Sequence, residues 1–375
     1  MSSDITTLDL FAGAGGLSAG LVQADRRFRT VRAVESDIAA AATFDANHGA
    51  GSTYAGSIET WLAEEEVPEV DLVVGGPPCQ GFSALNRARV GSERNGLWER
   101  YAETLVRARP KWFVMENVPQ FLHSAELEAF RLSTLPGQDL AEWTLEAKVL
   151  IASEHGAPQR RRRAVVIGYR KDVARPLWPV ATHLAGHQRT VREALVGINP
   201  EVTRVDLPER TTIFRDRELP GAFTSRELHV TRKYEEKSLL RFGHIPEGGN
   251  RHDLPDELKA PCWLGHSSGS GDVMGRLRLD QPSVTIRTEF FKPEKGRYLH
   301  PFEHRAITHH EAARLQGFPD NYLWVGTKLQ IARQIGNAVP LALGKALGEV
   351  LSAAYQSSTT GEAAARDGAG QLELI

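Results

Sequence analysis

One cysteine in this chain sits in a setting that packing does not explain. The run Gly75-Gly76-Pro77-Pro78-Cys79-Gln80-Gly81-Phe82-Ser83 puts a thiol in a turn stiffened by two prolines and bounded by glycines, directly after an apolar stretch at 70–74. A lone cysteine is usually a small buried hydrophobe, but a turn this rigid presents its side chain, so Cys79 reads as a nucleophile. Glu116, in Met115-Glu116-Asn117-Val118, ends the next strand of the pattern. There it can approach the thiol across one sheet edge and handle a proton; its plainer role would be a strand-end carboxylate bonded to backbone. Arg161 and Arg163 stand two apart in Gln159-Arg160-Arg161-Arg162-Arg163. On a strand they face one way, as paired cationic donors that favour a thiolate, while Arg160 and Arg162 face the other way as a solvated or phosphate-binding pair.

A second constellation reads as a ligand site. Leu8-Asp9-Leu10-Phe11-Ala12-Gly13-Ala14-Gly15-Gly16-Leu17 places glycines between a strand and a helix, where only glycine lets the backbone turn sharply and approach a ligand. Alone, such a turn is weak evidence. Glu35 ends the following strand about twenty residues on, where an acidic side chain bonds ribose hydroxyls. The glycine spacing is not the dinucleotide pattern and no pyrophosphate site is evident, so a nucleoside without phosphates fits better than a nicotinamide dinucleotide.

These residues need a scaffold, and the pattern supplies one. Between residues 5 and 170 short β-branched runs alternate with helical spacing, the mark of βαβ units and a parallel sheet. Strands are expected at 5–10, 30–35, 70–74, 112–115, 145–151 and 164–169. From 187 to 299 the pattern breaks into proline, glycine and charge, an irregular second lobe. Helical spacing returns at 308–315, 331–335 and 341–354, so residues 300–355 are expected to pack back onto a first domain of residues 1–186. The small, polar tail of residues 356–375 is expected to be disordered. The fold class is thus α/β, with a smaller irregular domain.

Composition sets limits. The 375 residues, 41% hydrophobic and 25% charged, suffice for one large core with a lobe. No apolar run approaches the ~20 residues that cross a bilayer, and no signal core follows the N-terminus, which points to the cytoplasm and no membrane partner. The two cysteines, Cys79 and Cys262, are too few for a disulfide framework or an unaided zinc site, so no metal is expected. A net charge of −2 leaves nucleic-acid binding to local clusters. One such cluster, Arg226, His229, Arg232, Lys233, Lys237, Arg241 and His244, lies in the second lobe.

Taken together, 75–83, 116–118, 159–163, Gly296-Arg297 with His300-Pro301, Glu311-Ala312-Ala313-Arg314-Leu315-Gln316-Gly317-Phe318-Pro319, and Gln334-Ile335-Gly336-Asn337-Ala338-Val339-Pro340 resemble, in the same order, the motifs of the cytosine-5 DNA methyltransferases. The resemblance spans most of the chain except ~187–280, where this family keeps a variable target-recognition region. It implies a Rossmann-like sheet that binds S-adenosylmethionine and releases S-adenosylhomocysteine, with Phe11, Gly13, Gly15, Gly16, Leu17, Glu35, Pro77, Leu97 and Asn337 lining the pocket. Ser57 and Ile58 stand where members commonly carry an acidic residue on the adenine amino group, so Ser57 is a weaker substitute. Ser36 stands where some members place a bulky side chain against adenine.

The resemblance also implies a mechanism: Cys79 adds to cytosine C6, Glu116 stabilises charge gathering at N3, and Arg161 and Arg163 hold O2. The base that removes the C5 proton is not identified by the sequence. The target must be flipped from the duplex, and loop residues 80–96, with Gln80, Ser83, Arg87 and Arg89, together with Arg232 and Lys233, are the expected DNA contacts. The setting implied is a bacterial restriction-modification or defence monomer, associated with the nucleoid when on DNA and partnered by a nuclease encoded elsewhere. Competing readings are a tRNA cytosine-5 methyltransferase, a catalytically silent DNA-binding protein and a nicotinamide-dependent oxidoreductase. The last leaves the Pro77-Pro78-Cys79 turn unexplained.

Overall fold

The computed structural model describes residues 3–78, 96–264 and 271–360. Its frame is β1 (Ile5–Leu10), α1 (Gly16–Ala24), β2 (Phe28–Glu35), α2 (Ile38–His48), β3 (Thr53–Ala55), α3 (Ile58–Glu64), β4 (Leu72–Gly75), α4 (Leu97–Ala108), β5 (Trp112–Asn117), α5 (Ala125–Leu132), β6 (Trp143–Ile151) and β7 (Arg162–Arg170). They build a seven-stranded sheet in the order β3-β2-β1-β4-β5-β7-β6. The first five strands run parallel, as the alternating pattern predicts.

The expectation of parallel pairing fails at the far edge, where β7 is antiparallel to both β5 and β6. A parallel return needs a crossover of about a dozen residues or more, usually a helix. Only residues 152–161 join β6 to β7, and they hold a single short turn of helix.

Side chains alternate across the central strands and bury both faces. Val73, Phe113 and Met115 pack with Trp61, Tyr101, Leu105 and Phe130 from α3, α4 and α5. On the other face Leu72, Val74 and Val114 pack with Leu17 and Leu21 of α1. Leu343, Leu347 and Leu351 complete that layer from the far end of the sequence.

The second lobe contributes α6 (Val191–Leu195), β8 (Thr211–Phe214), β9 (Arg217–Thr224) and α7 (Glu236–His244). The chain then returns through α8 (His309–Gln316), β10 (Leu323–Val325), α9 (Lys328–Asn337) and α10 (Leu341–Thr359). β10 pairs with β9, so a strand from the returning segment completes the lobe's small antiparallel sheet. Phe223, Ile286, Phe290 and Tyr298 of the lobe share one core with Leu315, Ile331 and Ile335 of α8 and α9. α10 runs on to Thr359, four residues into the tail expected to lack structure. Tyr355 anchors that last turn, buried and bonded through its hydroxyl to Ser3. Among the described residues no helix is long and apolar enough to cross a membrane.

Candidate active site

The carboxyl ends of β1, β2, β4 and β5 open into one cleft with room for about 480 Å³, where open α/β sheets place ligands. Its lining includes Phe11, Gly13, Gly16, Leu17, Glu35, Pro77, Glu116, Arg161, Arg163 and Asn337. Residues more than three hundred positions apart meet because α10 lies along α1 and feeds back to the glycine loop. A Cβ on Gly16 would fall 2.6 Å from the carbonyl oxygen of Val339, so this closure requires a glycine there.

At one end of the cleft Glu35 holds the loop together. Oε2 accepts from the amide of Gly13 at 2.8 Å and Oε1 from that of Asp37 at 2.7 Å. Burial raises its pKa, and these two amide bonds oppose the rise. Oε1 also takes the Ser36 hydroxyl at 3.5 Å, while Oε2 keeps a lone pair, which is what a ribose hydroxyl requires.

Beneath this loop lies Asp9, which the sequence did not single out. It is buried, and that burial pushes its pKa up to about 7, against the Ser18 hydroxyl that donates to it at 2.6 Å and with added repulsion from Glu35. A carboxyl that binds its proton more tightly folded than unfolded favours folding below pH ~4. That contribution falls as pH rises toward 7 and is gone above it. Asp9→Asn should therefore gain on the wild type by roughly 2–4 kcal/mol between pH 4 and pH 8, at about 1.4 kcal/mol per tenfold change in proton affinity. Urea melts at both pH values measure this; a gap that does not change with pH would show that Asp9 stays ionised.

At the other end the sheet edge positions Glu116 and Arg163. Gly75 lets β4 press against β1, since a Cβ there would collide with the Leu10 carbonyl oxygen. The chain then turns through Gly76-Pro77-Pro78 into the cleft. Asn117, buried at the end of β5, donates from Nδ2 to the Pro77 carbonyl at 2.9 Å and so ties this turn to the strand carrying Glu116. Glu116 faces Arg163, whose Nε lies 2.6 Å from Oε1 as an ion pair rather than an aligned hydrogen bond.

Arg161 lines the same cleft but is 2% exposed. Its Nη1 donates to the carbonyls of Ile286 at 2.9 Å and Gly336 at 3.0 Å, stitching the start of β7 to the second lobe and to α9. Burial, then the charge of Arg163, bring its pKa down to about 9, while Glu116 pulls it back up. Gln159 and Gln316 extend the seam: Gln159 donates to Gln316 Oε1 at 2.8 Å and accepts from the Ile286 amide at 2.8 Å. In the sequence their signal was membership of two motifs, with nothing to show that they touch.

Several expected residues lie elsewhere. Gly15 takes left-handed backbone as the cap of α1, behind the lining. Ser57 caps α3, its hydroxyl accepting from the Thr60 amide at 3.2 Å. Ile58 is buried in the core and Leu97 packs against it at the start of α4. None of these three is among the residues lining the cleft; a serine before a helix satisfies that helix's first amides sooner than a ligand. Arg232 lies over the Tyr234 ring and lines a separate small pocket, and Lys233 lines neither it nor the cleft. Cys79, Gln80, Ser83, Arg87 and Arg89 fall outside the described residues.

A cationic feature showed in the sequence only through Arg160, read there with Arg162 as a solvated or phosphate-binding pair. Arg160, Arg278, Arg287 and Arg297 line a second cleft of about 600 Å³ with Thr285 and Tyr298. Spread over so much chain, four arginines form no run that a reader of charge would notice. Arg297 is anchored by the Gly248 carbonyl at 2.7 Å and by Asp272 at 3.3 Å.

Residues 5–353 match the family of C-5 cytosine-specific DNA methylases. The chain is 31% identical over 359 residues to the Type II methyltransferase M1.HphI of Haemophilus parahaemolyticus, covering 92% of this chain and 86% of that one. It is 34% identical over 364 residues to the Type II methyltransferase M.PspPI of Psychrobacter sp., covering 94% and 81%. Among solved structures it resembles a putative DNA modification methyltransferase from an E. coli prophage, with TM-score 0.68 at 24% identity over 94% of this chain and 100% of that one. It also resembles the S. pombe Dnmt2 methyltransferase, with TM-score 0.58 at 18% identity over 94% and 98%. At such identities the solved structures speak for the fold alone.

Proposed function

Since this chain belongs to the C-5 cytosine-specific DNA methylase family and is a DNA (cytosine-5)-methyltransferase, we propose that it uses S-adenosylmethionine to methylate a cytosine flipped out of duplex DNA, through a covalent bond from Cys79. One observation carries this reading. A single cleft collects the Glu35-braced glycine loop, the Pro77-Pro78 turn that leads into Cys79, and the Glu116–Arg163 pair.

When bound, the cofactor supplies a methyl group on a positively charged sulfur. Glu35 takes the ribose hydroxyls, and Phe11, Gly13, Gly16, Leu17, Pro77 and Asn337 enclose the rest; the orphaned Oε1 of Gln334 beside them suits a ligand with a donor group. The Cys79 thiolate adds its electron pair to C6 of cytosine, which moves electron density onto C5 and N3. Glu116 stands against N3 and stabilises the charge gathering there by sharing a proton with the ring, with Arg163 fixing its orientation. Arg161 braces the strand that carries Arg163. Once C5 carries the methyl group, loss of the C5 proton returns its electrons to the ring and expels the Cys79 thiolate.

Residues 187–299 serve as the DNA-reading lobe, and the arginine-lined cleft takes the phosphate backbone, joined by Arg87, Arg89, Arg232 and Lys233. The names of the two bacterial relatives support a restriction-modification setting: a cytoplasmic monomer on the nucleoid, matched to a nuclease of the same specificity.

The test is to incubate the protein with radiolabelled S-adenosylmethionine and mixed-sequence duplex DNA, then map modified cytosines by bisulfite sequencing. C5 methylation confined to one short word is expected. Label entering RNA in preference to duplex DNA, or entering neither, would overturn the reading.

A further inference from the structure

The glycine loop of the cleft is bent against the preferences of its own backbone. Phe11, Gly13 and Gly15 all take left-handed conformations, with φ of 55°, 55° and 82°. For a bulky residue such as Phe11 that region is rare and persists only where the surroundings hold it. From the cleft side Glu35 fixes Gly13. From the opposite side two residues that the mechanism has not used hold the next two positions. The Tyr322 hydroxyl donates to the Ala14 carbonyl at 2.5 Å. Its single proton is thereby spent, so it accepts from Nε2 of His48, 3.3 Å away. The His48 ring stacks on Phe44 with centroids 4.3 Å apart, and it lies over Gly15 where a Cβ would collide with it. Neither Tyr322 nor His48 is among the residues lining the cleft; both line a separate groove beside α1 and β2.

A clamp positions a loop only if it is itself fixed, as Tyr322 is. Its ring is buried and packs against Phe318 and Trp324, with centroids 4.7 and 5.3 Å away. Its carbonyl accepts from the Ser225 amide at 2.8 Å, and the Ser225 hydroxyl in turn accepts from Trp324 Nε1 at 2.9 Å. Ser225 directly follows β9, so the hydroxyl that meets Ala14 is anchored in the second lobe, and the loop takes its position from there as well as from β1. His48 is neutral in this setting, since burial brings its pKa down to about 4 against the upward pull of a bond to the Gly15 backbone. We propose that Tyr322 and His48 are positioning residues for the cofactor: they fix Ala14 and Gly15 from behind and so hold Phe11 and Gly13 in the shape that receives the nucleoside end. The inference rests on S-adenosylmethionine being the cofactor.

Tyr322→Phe keeps the ring and removes only the clamping bond. In calorimetric titrations of the full chain it should bind S-adenosylhomocysteine and 5′-methylthioadenosine roughly 5- to 50-fold more weakly, both by the same factor because the loop serves the nucleoside they share. Methyl transfer to mixed-sequence duplex DNA should show KM for S-adenosylmethionine raised by that factor and kcat within about threefold of wild type, the mark of binding lost equally from ground and transition states. His48→Leu should lose part of the affinity, and His48→Gln, which keeps a donor for Tyr322, should recover it. Tyr101→Phe is the control. It removes a buried hydroxyl bond to the Val114 carbonyl at 3.0 Å, in the core between α4 and the sheet, and should lower the thermal melt while leaving S-adenosylhomocysteine affinity within about twofold. Wild-type affinity in Tyr322→Phe would overturn the assignment. So would a loss that Tyr101→Phe reproduces, which would reduce Tyr322 to a stability contact, or a fall in kcat with KM unchanged, which would place its effect on the chemical step. If wild type binds neither adenosyl ligand, the cofactor reading itself fails.

Discussion

Cys79→Ser should lose methyl transfer to duplex DNA by about 10³-fold or more while still binding S-adenosylhomocysteine. A serine hydroxyl is almost fully protonated at neutral pH, whereas a thiol reaches its anion far more readily. Arg161 and Arg163 bring two positive charges to the wall that the Pro77-Pro78 turn faces, one of them partly offset by Glu116. The covalent step has its own readout. A duplex bearing 5-fluorocytosine at the target presents fluorine where the C5 proton must leave, so elimination stalls with Cys79 attached to C6. Wild type should then give a protein–DNA band that survives denaturing electrophoresis, and Cys79→Ser should give none. A band that persists in the variant, or a serine enzyme within a few-fold of wild type, would move the nucleophile elsewhere.

How much of this was legible in the sequence depended on what each residue's signal was made of. Strands buried on both faces announce themselves as apolar runs, and the one expected at residues 112–115 lies in β5, Trp112–Asn117. The Cys79 turn was legible because proline and glycine restrict backbone in ways that packing does not demand. Contacts across long separations were not. Asn117 looked like a neighbour of Glu116 rather than the clamp on Pro77. Arg161 looked equivalent to Arg163, yet alternation on a strand fixes only direction, and two carbonyls from distant segments had already claimed it. Ser57 was weighed as a ligand contact because family position suggested one, but its nearest unmet donors were the first amides of α3. The antiparallel edge was written in the shortness of residues 152–161, a spacing the periodicity reading passed over. For Arg160, Arg278, Arg287 and Arg297, only the folded chain gathers what the sequence scatters.

The Glu116–Arg163 pair carries the second large effect. Glu116→Gln should lower the rate of methyl transfer by about 10²–10⁴-fold, the range of a positioned proton-transfer group, with S-adenosylhomocysteine affinity nearly unchanged because the Glu35 end of the cleft is untouched. Glutamine keeps the shape and can still hydrogen-bond the base edge, so a loss of this size isolates the proton and charge from mere contact. Arg163→Met should fall in the same range for a different reason: it frees a carboxylate whose Oε2 would stand 3.2 Å from a Cβ at Gly76 and whose Oε1 is held by Nε at 2.6 Å. Groups that act as a unit are strongly non-additive, so the double variant Glu116→Gln/Arg163→Met should be little slower than the slower single one. Single-turnover rates on a methylatable duplex decide the matter. Multiplying losses would mean that the two residues serve separate steps, with Arg163 acting on the base directly rather than by fixing the carboxylate.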